Sequence, residues 1–266
     1  MAERRPLLVT SFSARILKQS GLPLLTSYLQ NENNFPFLIG LEDVTPQEIP
    51  QAKCFHSCDV LNSLFFKNWM KQHGDIVPVE FGGRSTHVCK CPGGPFISTS
   101  KKHKPRCPAA WFNYNAARWF RKIVTLRYAQ EQDNQYSSII WIDADCLFCG
   151  KITEPVVDGW FQGHDAFYLK NKRPVMETGV FGFNILGNGS HLLQKLIHRY
   201  DSGMFRKEDR WDDSMQLQKV LLQPNTKAID LAKTVTGNSD VVENSILKHH
   251  ITHDKGRHGR KLGIFK

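Results

Sequence analysis

A short apolar segment in the middle of the chain, at 137–142, constrains the fold more than any other feature. It is rich in β-branched residues, which is typical of a strand that is buried on both faces of a sheet. The segment ends in Asp143-Ala144-Asp145, and open α/β sheets bind ligands at the carboxyl ends of their strands. Because side chains two residues apart on a strand point the same way, we expect both carboxylates to face one cation.

The chemistry of the two carboxylates narrows the choice of cation. Mg²⁺ and Mn²⁺ take oxygen ligands and commonly bridge protein carboxylates to substrate phosphates. A simpler interpretation is that Asp143 and Asp145 form a turn, since Asp often hydrogen-bonds its own backbone after a strand. The tripeptide alone leaves both interpretations open, and only motifs elsewhere in the chain can favour one of them.

Other apolar segments alternate with helical patterns along the chain. Strands are predicted at 7–11, 37–41, 166–169 and 180–185, and helices at 14–30, 57–73, 111–129, 191–200 and 213–222. Pro23 is expected to break the first helix into two pieces. The order strand, helix, strand at the start indicates a right-handed βαβ unit. With no internal repeat or linker, the sequence predicts a single α/β domain over residues 1–266.

The net charge of +10 indicates the kind of partner rather than the fold. Basic residues concentrate in a loop insert at 82–108 and in the tail at 248–266. Such clusters suit a polyanion, although a solvated basic surface has the same composition. No window is apolar enough for a membrane helix, and the chain does not begin with a signal-peptide pattern. We therefore expect no membrane span and a cytoplasmic location, in the host cytoplasm if the chain is virus-encoded.

The seven cysteines do not suggest a disulfide framework, because their number is odd, their spacing is irregular and no secretion signal is seen. Several cysteines and histidines lie in the basic insert, namely His87, Cys89, Cys91, His103 and Cys107. They raise the possibility of a zinc site, but a Cys-x-Cys pair differs from the usual spacing of zinc ligands. Loop thiols without a metal are the simpler interpretation.

Three later motifs follow the Asp-x-Asp tripeptide in order: the segments at 177–184, 211–214 and 253–256. Each also has an ordinary structural explanation. Asp212 or Asp213 can cap a helix and complement its dipole, and a histidine such as His253 can simply be solvated in a basic tail. Arg118 and Lys122 lie four residues apart on one helix face, just before the Asp-x-Asp strand, and that face can equally be a solvated one.

Taken together, the four motifs resemble those of the GT-A-fold glycosyltransferases, from about Leu7 to Lys261 apart from the insert. The resemblance implies one GT-A-like, Rossmann-like domain with a mixed, mostly parallel sheet flanked by helices. It also implies a nucleotide-sugar donor, expected to be a UDP-sugar, whose diphosphate is bound through Mn²⁺ or Mg²⁺. The tail is expected to close over the nucleotide. A divalent ion and positive groups would then stabilise the departing diphosphate.

The resemblance assigns roles to individual residues. The expected metal ligands are Asp143, Asp145 and His253. The candidate catalytic residues are Asp212, Asp213 and Glu177. The expected donor-binding residues are Thr10, Ser11, Glu42, Asp43, Arg118, Lys122, Ala144, Gly179, Lys255 and Gly256. Which acidic residue is the general base stays open, and His249, His250 and His258 compete with His253 as the third ligand.

The acceptor is the least constrained part of the interpretation. Aromatic and basic residues at 112–122 resemble the family members associated with DNA-base hypermodification, which glycosylate a hydroxymethylated pyrimidine. This implies double-stranded DNA as acceptor, with an extruded base held by aromatic rings. Other members build polysaccharide, capsid glycan or glycoprotein chains. Outside the family, the chain could be a non-catalytic nucleic-acid-binding module, or a nucleotidyltransferase, which would normally need a glycine-rich phosphate loop.

Overall fold

The computed structural model describes residues 4–73, 116–170, 176–208, 210–232 and 241–253. The predictions for the basic Cys/His insert, for Lys255 and Gly256 and for most of the tail lie outside these ranges. Among the described residues, no helix is both long enough and apolar enough to cross a bilayer. The four cysteines within them, Cys54, Cys58, Cys146 and Cys149, are all thiols, as the cysteine pattern predicted.

The strands of the described ranges form two sheets. In chain order they are β1 (Arg5–Phe12), β2 (Phe37–Leu41), β3 (Phe55–Asp59), β4 (Tyr136–Ile142), β5 (Cys146–Phe148), β6 (Ala166–Leu169), β7 (Glu177–Asn184), β8 (Ala228–Asp230) and β9 (Ile251–His253). The main sheet has the order β3-β2-β1-β4-β7-β6-β8, and β5 pairs with β9 in a separate two-stranded sheet. Strand β7 runs antiparallel to β4 and β6, while the other pairs of the main sheet are parallel. The predicted mixed, mostly parallel sheet is confirmed.

Helices cover both faces of the main sheet. They are α1 (Ala14–Ile16), α2 (Leu22–Gln30), α3 (Leu64–Gln72), α4 (Ala116–Gln130), α5 (Glu154–Phe161), α6 (Gly189–Asp201) and α7 (Asp213–Leu221). Apolar residues of α3, α4, α6 and α7 pack on one face of the sheet with Leu7 and Val9, while α2 and α5 pack on the other face with Leu8. Neighbouring residues of β1 thus enter opposite cores, as expected of a strand that is buried on both faces.

Two parts of the predicted element pattern were wrong. The first residues of the segment predicted as a helix at 57–73 instead belong to the edge strand β3, and the helix begins at Leu64, where the Ser63 side chain accepts from the Phe66 N–H. The first helix is not broken at Pro23, which occupies the first turn of α2, where a missing N–H is tolerated. A π-helical turn at Leu17–Gly21 joins α1 to α2 instead.

A glycine in β2 allows α4 to approach the sheet closely. A β-carbon on Gly40 would lie 2.1 Å from Oγ1 of Thr125 and 2.9 Å from Cβ of Ser11. No side chain fits at that distance, so the side chain of Thr125 in α4 packs directly against the backbone of Gly40 in β2. Helix α4 therefore lies directly against β1, β2 and β4, and its N-terminal half reaches the carboxyl edge of the sheet.

Candidate active site

The carboxyl ends of three parallel strands meet at one edge of the main sheet. Strand β1 ends at Phe12, β2 ends just before Glu42-Asp43, and β4 ends just before Asp143. From the overlying helix α4, Arg118, Arg121 and Lys122 recur at the three- and four-residue spacing of one helix face. Acidic residues from the sheet and basic residues from the helix therefore face each other at this edge.

Lys122 is the central residue of this edge. Its ammonium Nζ lies 3.0 Å from Oδ1 of Asp143 and 2.5 Å from Oδ2 of Asp213, and it donates to the carbonyl oxygen of Thr178 at 3.2 Å. Burial alone would lower the pKa of Lys122, but Asp143 and Asp213 outweigh it and hold that pKa above its usual value. The ammonium therefore donates hydrogen bonds to Asp143 and to the Thr178 carbonyl, and it forms an ion pair with Asp213. Lys122 thus links α4 to β7, to α7 and to the turn that follows β4.

Asp143 and Asp145 lie in a turn after β4, as the simpler interpretation allowed, so the strand periodicity by which both carboxylates were expected to face one cation does not apply to them. Strand β4 ends at Ile142, and the Cys146 N–H donates to the Asp143 carbonyl at 3.0 Å. Their carboxylates take different partners. Asp143 accepts from Lys122 and from the indole Nε1 of Trp141 at 2.5 Å. Burial, followed by the charges of Asp145 and Asp213, raises the pKa of Asp143 despite Lys122.

Asp145 instead faces the C-terminal strand β9. Its Oδ1 lies 3.1 Å from Nε2 of His253. In the small sheet, Cys146 of β5 is the register partner of His253. One oxygen, one sulfur and one nitrogen from Asp145, Cys146 and His253 all lie within 4.8 Å of one another. We call these three residues the cation centre.

The glycine of the second motif lies beside the cation centre. A β-carbon on Gly179 would be 3.6 Å from both Oε1 of Glu177 and Cε1 of His253. The Gly179 carbonyl accepts from the Asp143 N–H at 2.7 Å and is 3.9 Å from Sγ of Cys146. Two of the predicted metal ligands, Asp145 and His253, therefore lie together with two residues of the strand motif, whereas the carboxylate of Asp143 accepts from Lys122 and Trp141. Ala144, between the two acids, is almost fully buried.

The two adjacent acids of the third motif have different surroundings. Asp212 is the N-cap of α7, where it accepts from the Met215 N–H at 2.9 Å, and it also pairs with the guanidinium of Arg210 at 2.7 Å. Asp213 accepts from the Ser214 N–H and contacts Lys122. Asp213 alone of this pair thus joins the charged group at the edge of the sheet. The sequence allowed either acid to cap the helix, and the structure gives this role to Asp212.

The residues that follow β2 also divide by role. Glu42 pairs with Arg121 at 2.7 Å, and burial raises the pKa of its carboxyl although Arg121 opposes this. Asp43 accepts from the Ala14 N–H at 2.5 Å and so caps the start of α1. Arg118 is half-buried, and burial lowers the pKa of its guanidinium to about 10, although the charges of Asp213, Glu42 and Asp143 oppose the shift.

At the end of β1, Thr10 is fully buried, and its hydroxyl has no hydrogen-bond partner, while Ser11 is half-buried. Of the competing histidines, His250 is bound to the Lys151 carbonyl at 3.0 Å, and His249 ends a short 3₁₀-helix. His253 is the one of these three that reaches Asp145. His258 lies outside the described residues.

Comparison with known proteins shows similarity at the level of structure. No protein-family model matches the chain, and no curated protein matches its sequence. Among solved structures, the apo structure of the bifunctional glycosyltransferase WbbM matches over 87% of this chain, with 10% sequence identity and a TM-score of 0.47. The match covers 39% of the WbbM chain, so this chain spans about two fifths of that protein's length. At so low a similarity, the function has to be argued from the residues of this chain.

Sequence reasoning missed three contributors to the site: Arg121, Trp141 and Cys146. Arg121 directly precedes Lys122 in α4 and pairs with Glu42. Trp141 lies in β4, two residues before Asp143. Cys146 directly follows the Asp-x-Asp tripeptide. Its pairing with His253 depends on strands of three residues each, which are too short to give a periodic pattern.

Proposed function

We propose that the chain is a metal-dependent glycosyltransferase that uses a nucleotide-sugar donor, expected to be a UDP-sugar. The observation that carries the proposal is the 3.1 Å approach of His253 to Asp145 at the carboxyl edge of the sheet. A carboxylate oxygen and an imidazole nitrogen from distant parts of the chain converge there, beside a charged group that includes Asp213.

The donor set at this edge fits Mn²⁺ or Mg²⁺. Asp145 is partly exposed, which leaves room for substrate oxygens, and imidazole is a better ligand for Mn²⁺ than for Mg²⁺. Asp145 and His253 would hold the ion, and Asp143 adds negative charge from its place beside Lys122. When bound, such an ion supplies positive charge opposite a leaving diphosphate.

The remaining residues of the edge would contact a phosphate, fix the positions of the acidic groups and accept a proton. Arg118, still cationic at neutral pH, is the candidate for a direct phosphate contact from α4. Lys122 positions Asp143 and Asp213 relative to each other. We assign the general base to Asp213, which takes the proton of the acceptor hydroxyl while the hydroxyl oxygen bonds to the anomeric carbon and the bond from that carbon to the diphosphate oxygen breaks. Glu177, half-buried beside Gly179, is the alternative base.

A turnover assay tests the proposal. The protein is incubated with Mn²⁺ and a panel of sugar nucleotides, and the release of nucleoside diphosphate is measured. We expect release from at least one donor, and a loss of at least about 100-fold in Asp145→Asn. The matched control is Glu131→Gln, which changes an exposed carboxylate paired with Arg127 and should turn over like the original chain. If no donor is cleaved, the transferase assignment fails.

For the acceptor, we propose a hydroxymethylated pyrimidine in double-stranded DNA. The net charge of +10 supports a polyanionic acceptor, because clustered Lys and Arg release counterions when they bind phosphates. A mobility-shift titration on duplex DNA at several salt concentrations is the test. We expect an affinity that falls steeply with salt. The absence of binding at low salt would exclude DNA and favour a glycan or glycoprotein acceptor.

A further inference from the structure

The cation centre contains a sulfur ligand that an Asp-x-Asp motif does not provide. We propose that Cys146 Sγ is a metal ligand together with Asp145 and His253, so that the centre binds thiolate-accepting cations such as Zn²⁺, Co²⁺ and Cd²⁺ even without a nucleotide. This deepens the proposed function and rests on it for the presence of a cation at this edge. The test below uses no nucleotide, so failure of the sulfur ligand can be told apart from failure of the glycosyltransferase assignment.

Strand pairing aims the sulfur and the imidazole at the same place. Cys146 and His253 lie directly opposite each other in the antiparallel pair of β5 and β9. Directly opposed residues of an antiparallel pair project to the same side of the sheet. Asp145 is in the turn that precedes β5, which allows its carboxylate to reach that side as well.

The distances suit a tetrahedral site with one open position. Zinc bonds of about 2.0–2.3 Å at tetrahedral angles put neighbouring ligand atoms about 3.3–3.7 Å apart. Asp145 Oδ1 and His253 Nε2 are already 3.1 Å apart, and all three ligand atoms are within 4.8 Å of one another. Small side-chain rotations are enough to close this set around an ion. A fourth position remains for water or a substrate oxygen, as in catalytic zinc sites.

The surroundings favour a bound cation over a protonated thiol at Cys146. Cys146 is fully buried, whereas Asp145 is partly exposed, so an ion has access from the carboxylate side. Two further carboxylates, Asp143 and Asp213, share the single ammonium of Lys122 nearby. Arg118 also lies near these two carboxylates, so that with Asp145 three acids face two cations and this part of the edge carries excess negative charge. A cation that bonds to Cys146 Sγ displaces the thiol proton, which leaves to solvent.

Ligand type decides which ions gain from the sulfur. Oxygen and nitrogen ligands serve Mn²⁺ well, whereas thiolate adds most to the binding of Zn²⁺, Co²⁺ and Cd²⁺. Replacing the sulfur should therefore change selectivity and not only affinity. We expect Cys146→Ser to weaken Zn²⁺ binding by at least about 100-fold, because even partners outside the ligand set change metal affinity about 10–100-fold. Its Mn²⁺ binding should change by less than about tenfold.

The experiment is a Co²⁺ titration of the full chain without nucleotide, followed by Zn²⁺ and Mn²⁺ titrations by calorimetry. The original chain should show a thiolate-to-cobalt charge-transfer band that saturates at one equivalent. Cys146→Ser should lose the band, and His253→Gln should keep a band that needs at least about tenfold more Co²⁺. Cys149→Ser is the matched control, because this exposed thiol follows directly after β5 and donates to the Lys248 carbonyl, and its band should be unchanged.

Two results would overturn the proposal. One is the absence of a charge-transfer band in the original chain. The other is a band that persists unchanged in Cys146→Ser, which would assign the thiolate to another cysteine. If Cys146→Ser does not fold, His253→Gln decides: an undiminished affinity for Co²⁺ in that variant contradicts the shared centre.

Discussion

The Nζ atom of Lys122 lies 2.5 Å from Oδ2 of Asp213 and thereby ties the middle of one helix to the start of another. The same atom bonds to Asp143 and to the Thr178 carbonyl. One ammonium therefore fixes the relative positions of the first acid of the Asp-x-Asp turn and of the candidate base. It also lies over the face of Trp141, 4.6 Å from the ring centroid.

Removing this ammonium should destabilise the protein strongly. Lys122→Met leaves Asp213 buried without its cationic partner, and breaking a buried pair in this way costs about 3–5 kcal/mol. Because Asp143 is partly exposed, we expect a loss of about 3 kcal/mol in the free energy of unfolding. Urea titration measures it. Arg127→Met, on the same helix but in an exposed pair with Glu131, is the control and should lose less than about 1 kcal/mol.

The adjacent acids Asp212 and Asp213 should separate in kinetics. Asp213→Asn is expected to lower kcat for nucleoside diphosphate release at least about 100-fold, since it removes the proton acceptor. Asp212→Asn should leave kcat within a few-fold, because Asn also caps helices well. Glu177→Gln should likewise stay within a few-fold. A larger loss of kcat in Glu177→Gln than in Asp213→Asn would reassign the base to Glu177.

The close approach of α4 to β2 should make Gly40 intolerant of a side chain. The β-carbon of Gly40→Ala would overlap Thr125 and crowd Ser11, and such overpacking costs about 1–3 kcal/mol. Thr125→Ala in the same chain should restore part of the loss. Gly159→Ala is the control: nothing lies within 4 Å of the new carbon, and this position in α5 should gain up to about 1 kcal/mol. Equal thermal unfolding of both glycine variants would contradict the packing argument.

Because Arg121 pairs with Glu42, the loss of stability in Arg121→Gln should depend on pH. Burial already raises the pKa of Glu42 above its usual 4.5; Arg121 and, more weakly, Arg118 oppose this shift, while Asp43 adds to it. For a carboxyl whose folded pKa is raised, its contribution to stability is fully present below pH 4.5 and is lost as pH rises through the folded pKa. Arg121→Gln removes the main opposing charge and raises that pKa further.

Arg121→Gln should therefore lose more stability at about pH 7.5 than at about pH 4.5, by at least about 1 kcal/mol. Urea titrations at both pH values measure the difference. Arg127→Gln, whose partner Glu131 is exposed, should show no such pH dependence. The opposite sign for Arg121→Gln, with the larger loss at the lower pH, would mean that Arg121 does not stabilise the charged form of Glu42.

The architecture could be predicted where segments are long and buried. The run that ends at Ile142 predicted a central strand, and the acids after it were expected at the carboxyl edge. Strand β3 was missed because it lies at the sheet edge and only Cys58 within it is buried. Strands of three residues, such as β5 and β9, leave no periodic signal at all.

The site was predictable in composition but not in geometry. Neighbouring residues Asp212 and Asp213 differ in role because the helix begins between them, and element boundaries are the least certain part of a sequence interpretation. Lys122 was expected at a phosphate, yet its donors go to acceptors from three other elements. Cys146 and His253 meet through pairing between distant parts of the chain, which sequence spacing does not reveal.

The most direct test of the central claim is whether a divalent cation and a nucleoside diphosphate bind together through Asp145 and His253. Calorimetry with UDP, with and without Mn²⁺, measures this coupling. We predict that Mn²⁺ tightens UDP binding to the original chain at least about tenfold, equivalent to about 1.4 kcal/mol, and that Asp145→Asn loses this gain. Glu131→Gln should keep it. UDP binding that is equally tight without the cation, or a gain that survives in Asp145→Asn, would contradict the account.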